Sequence, residues 1–347
     1  MTEPAGINAP AVERWLISRI PQAKPPFHYT LIAGGRSNLT YRVDDAAGNT
    51  YVLRRPPLGK LPPSSHDVAR EYRILKALGP TSVPVPHVVD LCTDPAMNDA
   101  TFFVMDWVEG TVIDHVSAVE KALPNSEARR AASLSLVDAL ANMHGLDLGR
   151  IGLHGLASHE DYVGRNLERM RNVWEKTKTS DDPLIDSLHA RLVACKPPQR
   201  HTALIHSDYR FGNVMFSRDY TLIAVLDWEL CTIGDALADL GFLLNNWDLP
   251  NDPWPDVWSE IAPTRAVGFP SREEIVARYT ERTGFIVDSI DYYRAFNYWR
   301  IAIIAEGIKR RYAEGVMGSR GENVEILGRR VKDRAKLADY FMTKYER

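Results

Sequence analysis

Cysteine is scarce in this chain. Cys92, Cys195 and Cys231 are the three in 347 residues, scattered, odd in number and without a Cys-x-x-C pair. That usage argues against a disulfide framework or a thiolate zinc site and fits a reducing cytoplasm. Long apolar runs are missing too: no stretch approaches the roughly 20 apolar residues of a membrane-spanning helix. The first thirty residues mix proline with charge and hold no secretory h-region. Charge of one sign is also lacking, since 42 Lys and Arg against 45 Asp and Glu leave a net −3. No strong pull toward nucleic acid follows. Internal repeats and low-complexity segments are absent as well. What is present is an ordinary globular composition, 45% hydrophobic and 25% charged, in a chain long enough for two lobes with substantial cores.

The most informative stretch runs from Leu204 to Leu244. It reads Leu204-Ile205-His206-Ser207-Asp208-Tyr209-Arg210-Phe211-Gly212-Asn213, followed by two short apolar runs at 214–216 and 222–226. Ser217 to Tyr220 between them has turn chemistry, so the pair reads as a hairpin. Asp208 and Asn213 then lie on the loop entering a buried ribbon, and Asp227 lies where the chain leaves it. Two carboxylates and an amide, with no cysteine among them, are hard oxygen donors that suit Mg²⁺ better than a soft metal. Taken singly, each is also an ordinary turn residue; the ordered set is what carries the signal.

His206-x-Asp208-x-x-x-x-Asn213 with a strand-borne Asp227 resembles the catalytic and metal loops of protein kinases. The closer resemblance is to the aminoglycoside-phosphotransferase-like family of small-molecule kinases. Its Gly-Asp-x-x-x-Asp-Leu run is matched by Gly234 to Leu240. Within that family the chain looks most like the branch related to the kinase-like domain of certain acyl-CoA dehydrogenase fusion proteins, over roughly residues 27 to 320. The resemblance implies an α+β, two-lobed protein-kinase-like fold. Residues 1–26 would form a tail and short helix, 27–108 a mainly antiparallel β nucleotide-binding N-lobe, and 109–347 a larger, mainly helical C-lobe with the catalytic loop and substrate site. It also implies ATP or GTP as co-substrate, with Asp208 as base or orienting carboxylate. Asn213 and Asp227 would hold Mg²⁺, and Arg210 would stabilise the transferring phosphoryl group. For Arg210 a plain salt bridge to Asp219 or Glu229 is the competing reading. His206 is expected to orient the loop, Asp239 to hold His206 or the loop backbone, and Glu229, standing where kinases have the Gly of Asp-Phe-Gly, to be structural.

Upstream, Asn8 is placed to cap a short helix over Ala11–Ile20 with Val12, Leu16 and Ile20 at helical spacing. Strand signals follow around Gly34-Gly35-Arg36-Ser37. Gly34 and Gly35 would let backbone amides approach phosphate oxygens, and Ser37 adds a donor; a plain hairpin turn is the alternative. Val52-Leu53-Arg54 ends the third strand with Arg where kinases carry Lys, and alternation points Arg55 to the opposite face. Ser65 or Asp67 caps a helix to about Leu78, on which Glu71 is the expected partner of Arg54, against a solvated pairing with Arg70 or Lys76. Phe102 to Gly110 resembles an inter-lobe hinge, with Met105, Asp106 and Val108 as the backbone against which an adenine would lie.

Beyond Gly110 the pattern turns helical, at Ser126–His144, Tyr162–Thr177, Leu184–Cys195, Arg272–Thr283 and Tyr292–Tyr312. Tyr293, Phe296, Trp299, Ile303 and Ile304 are expected inward on the last of these. His144 reads as a capping or core histidine. Trp247, Trp254 and Trp258 either stack on an acceptor or pack their own loop. No carboxylate cluster of the kind an aminoglycoside would favour is evident in this third. The expected function is transfer of a nucleotide γ-phosphate to a hydroxyl of a small metabolite. A hydroxyacyl-CoA is suggested by the resembling branch and an aminoglycoside-like compound by the family name. A pseudokinase-type nucleotide sensor is the alternative, favoured by Arg54 and opposed by the intact Asp208, Asn213 and Asp227. A polypeptide kinase ranks third, because Asp-Phe-Gly and Ala-Pro-Glu elements are missing. No nucleic-acid or membrane partner is expected.

Overall fold

The computed structural model describes residues 4–33, 38–59, 67–252, 262–315 and 324–347. Gly34, Gly35, Ser37, Ser65, Trp254 and Trp258 lie outside the described residues. In chain order the helices are α1 Ala9–Arg19, α2 Val68–Leu78, α3 Val119–Ala122, α4 Ser126–His144, α5 Tyr162–Thr177, α6 Pro183–Ala194, α7 Ala236–Asn245, α8 Arg272–Thr283, α9 Ile290–Ala313 and α10 Val324–Tyr345. The strands are β1 His28–Ala33, β2 Leu39–Asp44, β3 Thr50–Arg55, β4 Val88–Cys92, β5 Phe102–Asp106, β6 Thr202–Ile205, β7 Val214–Phe216, β8 Leu222–Val225 and β9 Thr232–Asp235.

The smaller lobe is an antiparallel sheet in the order β1-β2-β3-β5-β4. β3 is central, and its two-residue alternation separates adjacent arginines. Arg54 pairs across with Thr40 and Phe103 and faces the cleft between the lobes. Arg55 faces the other way, donating to the Gly6 carbonyl and to Asp99. Onto that outer face packs α1, with Val12 and Leu16 fully buried and Trp15 edge-on to Phe102 at 5.0 Å. Asn8 does not cap α1 through its side chain; its backbone N–H is bound to Asn98 Oδ1 at 3.1 Å instead. On the cleft side α2 begins at Asp67, whose carboxylate accepts the Arg70 N–H. Its residues Val68, Tyr72, Leu75 and Leu78 enter the core.

The larger lobe is helical around two small ribbons, β6 with β9 and β7 with β8. α9 runs through its centre, with Tyr292, Phe296, Trp299 and Ile303 fully buried. Ile304 departs from expectation: it is 41% exposed and lines a pocket, because one side of α9 is a cavity wall rather than core. α10 packs on α9 through Val331, Ala335, Ala338, Phe341 and Met342. Its buried residues recur at helical spacing, so α10 is an amphipathic helix. Trp247 is fully buried among Phe211 and Phe269, so it packs its loop rather than offering a stacking surface.

Candidate active site

The central loop is held from below by Asp239 on α7. Its carboxylate accepts the N–H of His206 at 2.5 Å and of Ser207 at 2.7 Å, which stabilises the left-handed turn at Ser207, φ 70°. Behind it stand the buried His144 and Tyr279, with His144 Nε2 at 3.4 Å from Asp239 and Nδ1 at 2.6 Å from the tyrosine hydroxyl. His206 itself is fully buried. Its Nε2 faces the Leu226 carbonyl at 2.8 Å, and a carbonyl only accepts, so Nε2 carries the proton. Nδ1 then accepts the Asp208 N–H at 3.3 Å. Both nitrogens of His206 are thus spent on the backbone, which fits an orienting role, while Asp208 lines a pocket.

Asn213 closes the loop: its Nδ2 donates to the Asp208 carbonyl at 2.8 Å and to Asp208 Oδ2 at 2.7 Å. That fixes the amide, so Oδ1 turns away from Asp208. The β7–β8 ribbon pairs Val214 with Val225, and Leu226 N–H donates to the Asn213 carbonyl at 2.8 Å. The ribbon thereby delivers Asp227 beside Asn213. Asp227 adopts a left-handed conformation, φ 61° and ψ 60°, an uncommon one for a residue with a Cβ. Arg210 lies with Nε 3.4 Å from Asp208 Oδ1, correcting the salt bridge to Asp219 or Glu229 considered from sequence. A Cβ on Gly212 would strike the Arg210 guanidinium, so glycine there gives Arg210 its room.

Above the loop, Arg54 is nine-tenths buried and makes three contacts. Nε meets Glu71 Oε2 at 2.8 Å, Nη2 meets Asp227 Oδ1 at 2.6 Å, and Nη1 meets Thr40 Oγ1 at 3.2 Å. The expected Arg54–Glu71 contact is therefore joined by one to Asp227 that sequence reasoning did not anticipate. Burial works against the charged guanidinium, but Glu71 and then Asp227 outweigh it and raise its pKa. Glu71 is pushed up to about 7, first by burial and against the pull of Arg54. Asn38 Nδ2 also reaches Glu71 Oε2, at 3.3 Å.

Two pockets meet at this loop. The first, about 380 Å³, lies between the lobes. Arg54, Glu71, Met105, Asp106, Val108, Asn213 and Asp227 line it, as do apolar Val52, Leu75 and Leu226. At the hinge the Asp106 N–H is committed to the His87 carbonyl at 2.9 Å. Among the described residues no hydrogen bond engages the Trp107 or Val108 backbone, and both residues line the cleft. The second pocket, about 520 Å³, is lined by Asp208, Arg210, Asp114 and Asp248 and by the Phe242, Ile304 and Ile308 side chains. Its charge is mixed, with three carboxylates and Arg210 and Arg334 among the lining residues. Gly212 lines both pockets. Asn38, Thr40, Asp114 and Gly212 were missed from sequence. Thr40 on β2 and Asn38 just before it follow the glycine pair and were findable there, whereas Asp114 is delivered by tertiary packing alone.

The metal reading is compatible with this donor set. Asn213 Oδ1 is directed away from Asp208, its only side-chain partner among the described residues, Asp227 accepts through Oδ1 from Arg54, and both residues line one cleft. Among the described residues no group of three or more His, Cys, Asp or Glu forms a metal cluster.

Small antiparallel sheet, helical lobe and inter-lobe cleft together make a kinase-like fold. Residues 28–267 match the model of the phosphotransferase enzyme family. The chain belongs to that family. It is 32% identical over 315 residues to mouse acyl-CoA dehydrogenase family member 10, covering 89% of this chain and 29% of the mouse protein. The curated relatives it matches are much longer than the matched segment, which takes up under two fifths of each. Among solved structures, a Ralstonia eutropha protein described as a candidate aminoglycoside phosphotransferase is 29% identical, with a TM-score of 0.83 over 97% of this chain and 98% of that one. A thermostable aminoglycoside phosphotransferase mutant in a ternary complex with ADP and hygromycin B shares the fold, with a TM-score of 0.60 at 15% identity over 94% of this chain and 98% of that one.

Proposed function

We propose that the chain is a small-molecule kinase transferring the γ-phosphate of ATP or GTP to a hydroxyl of a metabolite. The observation that carries this reading is the meeting of two pockets at one loop: Asn213 and Asp227 face the first, Asp208 and Arg210 the second, and Gly212 lines both. In it, residues 27–108 form the nucleotide-binding lobe, residues 109–347 the acceptor-binding lobe, and residues 1–26 a tail and helix on the outside of the first.

The base would sit between Val52 and Leu226, with its polar edge on the hinge backbone beyond Asp106. Arg54 would contact phosphate oxygens, and the 34–37 segment, which lies outside the described residues, is assigned to cover them. Asn213 and Asp227 would hold Mg²⁺, which supplies charge neutralisation of phosphate oxygens when bound. Asp208 would accept the hydrogen bond of the acceptor hydroxyl and align its oxygen; with a loose transition state, alignment matters more than early deprotonation. Arg210, in the second pocket beside Gly212, would stabilise charge on the transferring group.

The acceptor's identity is narrowed by the second pocket. Three carboxylates are balanced in part by two arginines, and the floor is apolar through Phe242, Ile304 and Ile308. This favours an acceptor with an apolar portion over a polycation. A hydroxyacyl-CoA satisfies that description, and an aminoglycoside-like compound is the second reading. A Mg²⁺-dependent transfer screen over hydroxylated metabolites, hydroxyacyl-CoAs and aminoglycosides tests it. Asp208→Asn is expected to lower kcat about 10²- to 10⁴-fold with nucleotide binding kept. Nucleotide binding with no transfer to any acceptor, equal in both proteins, would assign a sensor instead.

A further inference from the structure

The turn that carries the metal carboxylate is bracketed at both ends by neighbouring residues of one helix. It runs Asp227-Trp228-Glu229-Leu230-Cys231 and links β8 to β9. At its start, Glu71 reaches Asp227 through Arg54, at 2.8 and 2.6 Å. At its end, Arg70 Nη2 donates to the Cys231 carbonyl at 2.6 Å. Glu71 and Arg70 are consecutive on α2, about 100° apart around the helix, so they diverge and span the turn like two fingers.

Such bracketing has a physical purpose. Asp227 is held left-handed without being glycine, a conformation that persists only where surroundings over-determine it. Upstream, the chain is fixed by Leu226 N–H to the Asn213 carbonyl and by His206 to the Leu226 carbonyl. Inside the turn, the Trp228 indole donates to the Val225 carbonyl at 2.9 Å and Cys231 N–H to the Trp228 carbonyl at 3.1 Å. These bonds close the turn on itself and on the helical lobe; Arg70 is the tie from its far end to the other lobe. The Cys231 side chain is fully buried, so the carbonyl that Arg70 grips belongs to an anchored residue and not to a loose loop tip.

We infer that Arg70 is a positioning residue: by holding the Cys231 carbonyl it keeps the Asp227 turn docked on α2 and so presents Asp227 to the metal-bound phosphates. Arg70 is absent from the lining of both pockets. This rests on the kinase reading and adds to it a residue and a mode of action. Its signature is specific. Without Arg70, nucleotide without metal should bind as before, because base and sugar contacts lie elsewhere. The extra affinity gained with Mg²⁺ should shrink, because that gain needs Asp227 in place.

Isothermal titration of ATP into the full chain, with Mg²⁺ and with EDTA, separates the two quantities. Wild type should bind more tightly with Mg²⁺. Arg70→Ala should keep the EDTA affinity and lose about tenfold of the Mg²⁺-dependent gain, the scale of one charged hydrogen bond. Arg70→Lys, which still donates to a carbonyl, should recover part of it. Arg70→Met keeps the stem and packing, and serves if the alanine variant does not fold. An undiminished Mg²⁺ gain in a folded Arg70→Ala or Arg70→Met protein overturns the inference, and so does an equal loss with and without metal. A wild type that gains nothing from Mg²⁺ rejects the kinase reading itself and this inference with it, a result told apart by arising before any substitution.

Discussion

Arg54 donates to Glu71 through Nε and to Asp227 through Nη2, so a single side chain joins α2 to the Asp227 turn. Lysine at the same place, a point charge on a flexible stem, would satisfy one carboxylate more readily than two; the planar guanidinium fits both at once. Glu71 is only 3% exposed, and removal of its cation strands a buried carboxylate. Arg54→Ala is therefore expected to lower stability by about 3–5 kcal/mol and to weaken nucleotide binding. Urea unfolding and titration calorimetry check the two effects separately, and unchanged affinity would reject Arg54 as a nucleotide contact. The neighbouring Arg55 does different work from the same strand, since alternation sends it to the outer face to tie down Gly6 and Asp99. Identity and strand position made this division readable in advance. The second partner of Arg54 was not readable, because Asp227 is 173 residues away.

Among elements, α1 shows how a segment outside the catalytic machinery stiffens it. Its buried face, Val12, Trp15 and Leu16, covers the side of the sheet opposite the cleft and turns a two-layer lobe into three layers. Leu16→Ala should destabilise by about 2–5 kcal/mol, measured by chemical unfolding, with Asp208-dependent transfer at low temperature little changed. An equal fall in transfer would mean that α1 reaches the cleft. Helices were the elements best seen in sequence: α4, α5 and α8 begin and end where the helical pattern puts them. α10 was not singled out as an element, because its charges obscured the buried stripe from Leu327 to Met342. Ile304 was placed inward on α9 because a helical stripe cannot distinguish core from cavity wall; both are lined by apolar side chains.

For the whole molecule, the cleft joins β3, β5 and α2 of one lobe to the Asn213–Asp227 ribbon of the other, so a ligand there cross-links the two. ATP with Mg²⁺ at a hundredfold excess over its Kd should add about 2.7 kcal/mol of apparent stability, seen as a rise of several degrees in Tm. No shift at saturating nucleotide would count against the cleft as the nucleotide site. The sequence by itself determined the two-lobed kinase-like fold and the ordered set His206, Asp208, Asn213, Asp227 and Asp239. Those features are local: a loop, a ribbon and a helix start whose residue types and spacing carry their chemistry. Only the tertiary structure decided that Arg54 bridges two carboxylates, that Arg70 grips Cys231, that Gly212 stands between two pockets and that Asp114 joins the second. Each of these depends on which faces of distant elements meet, and packing of the folded chain settles that where periodicity along the sequence is silent.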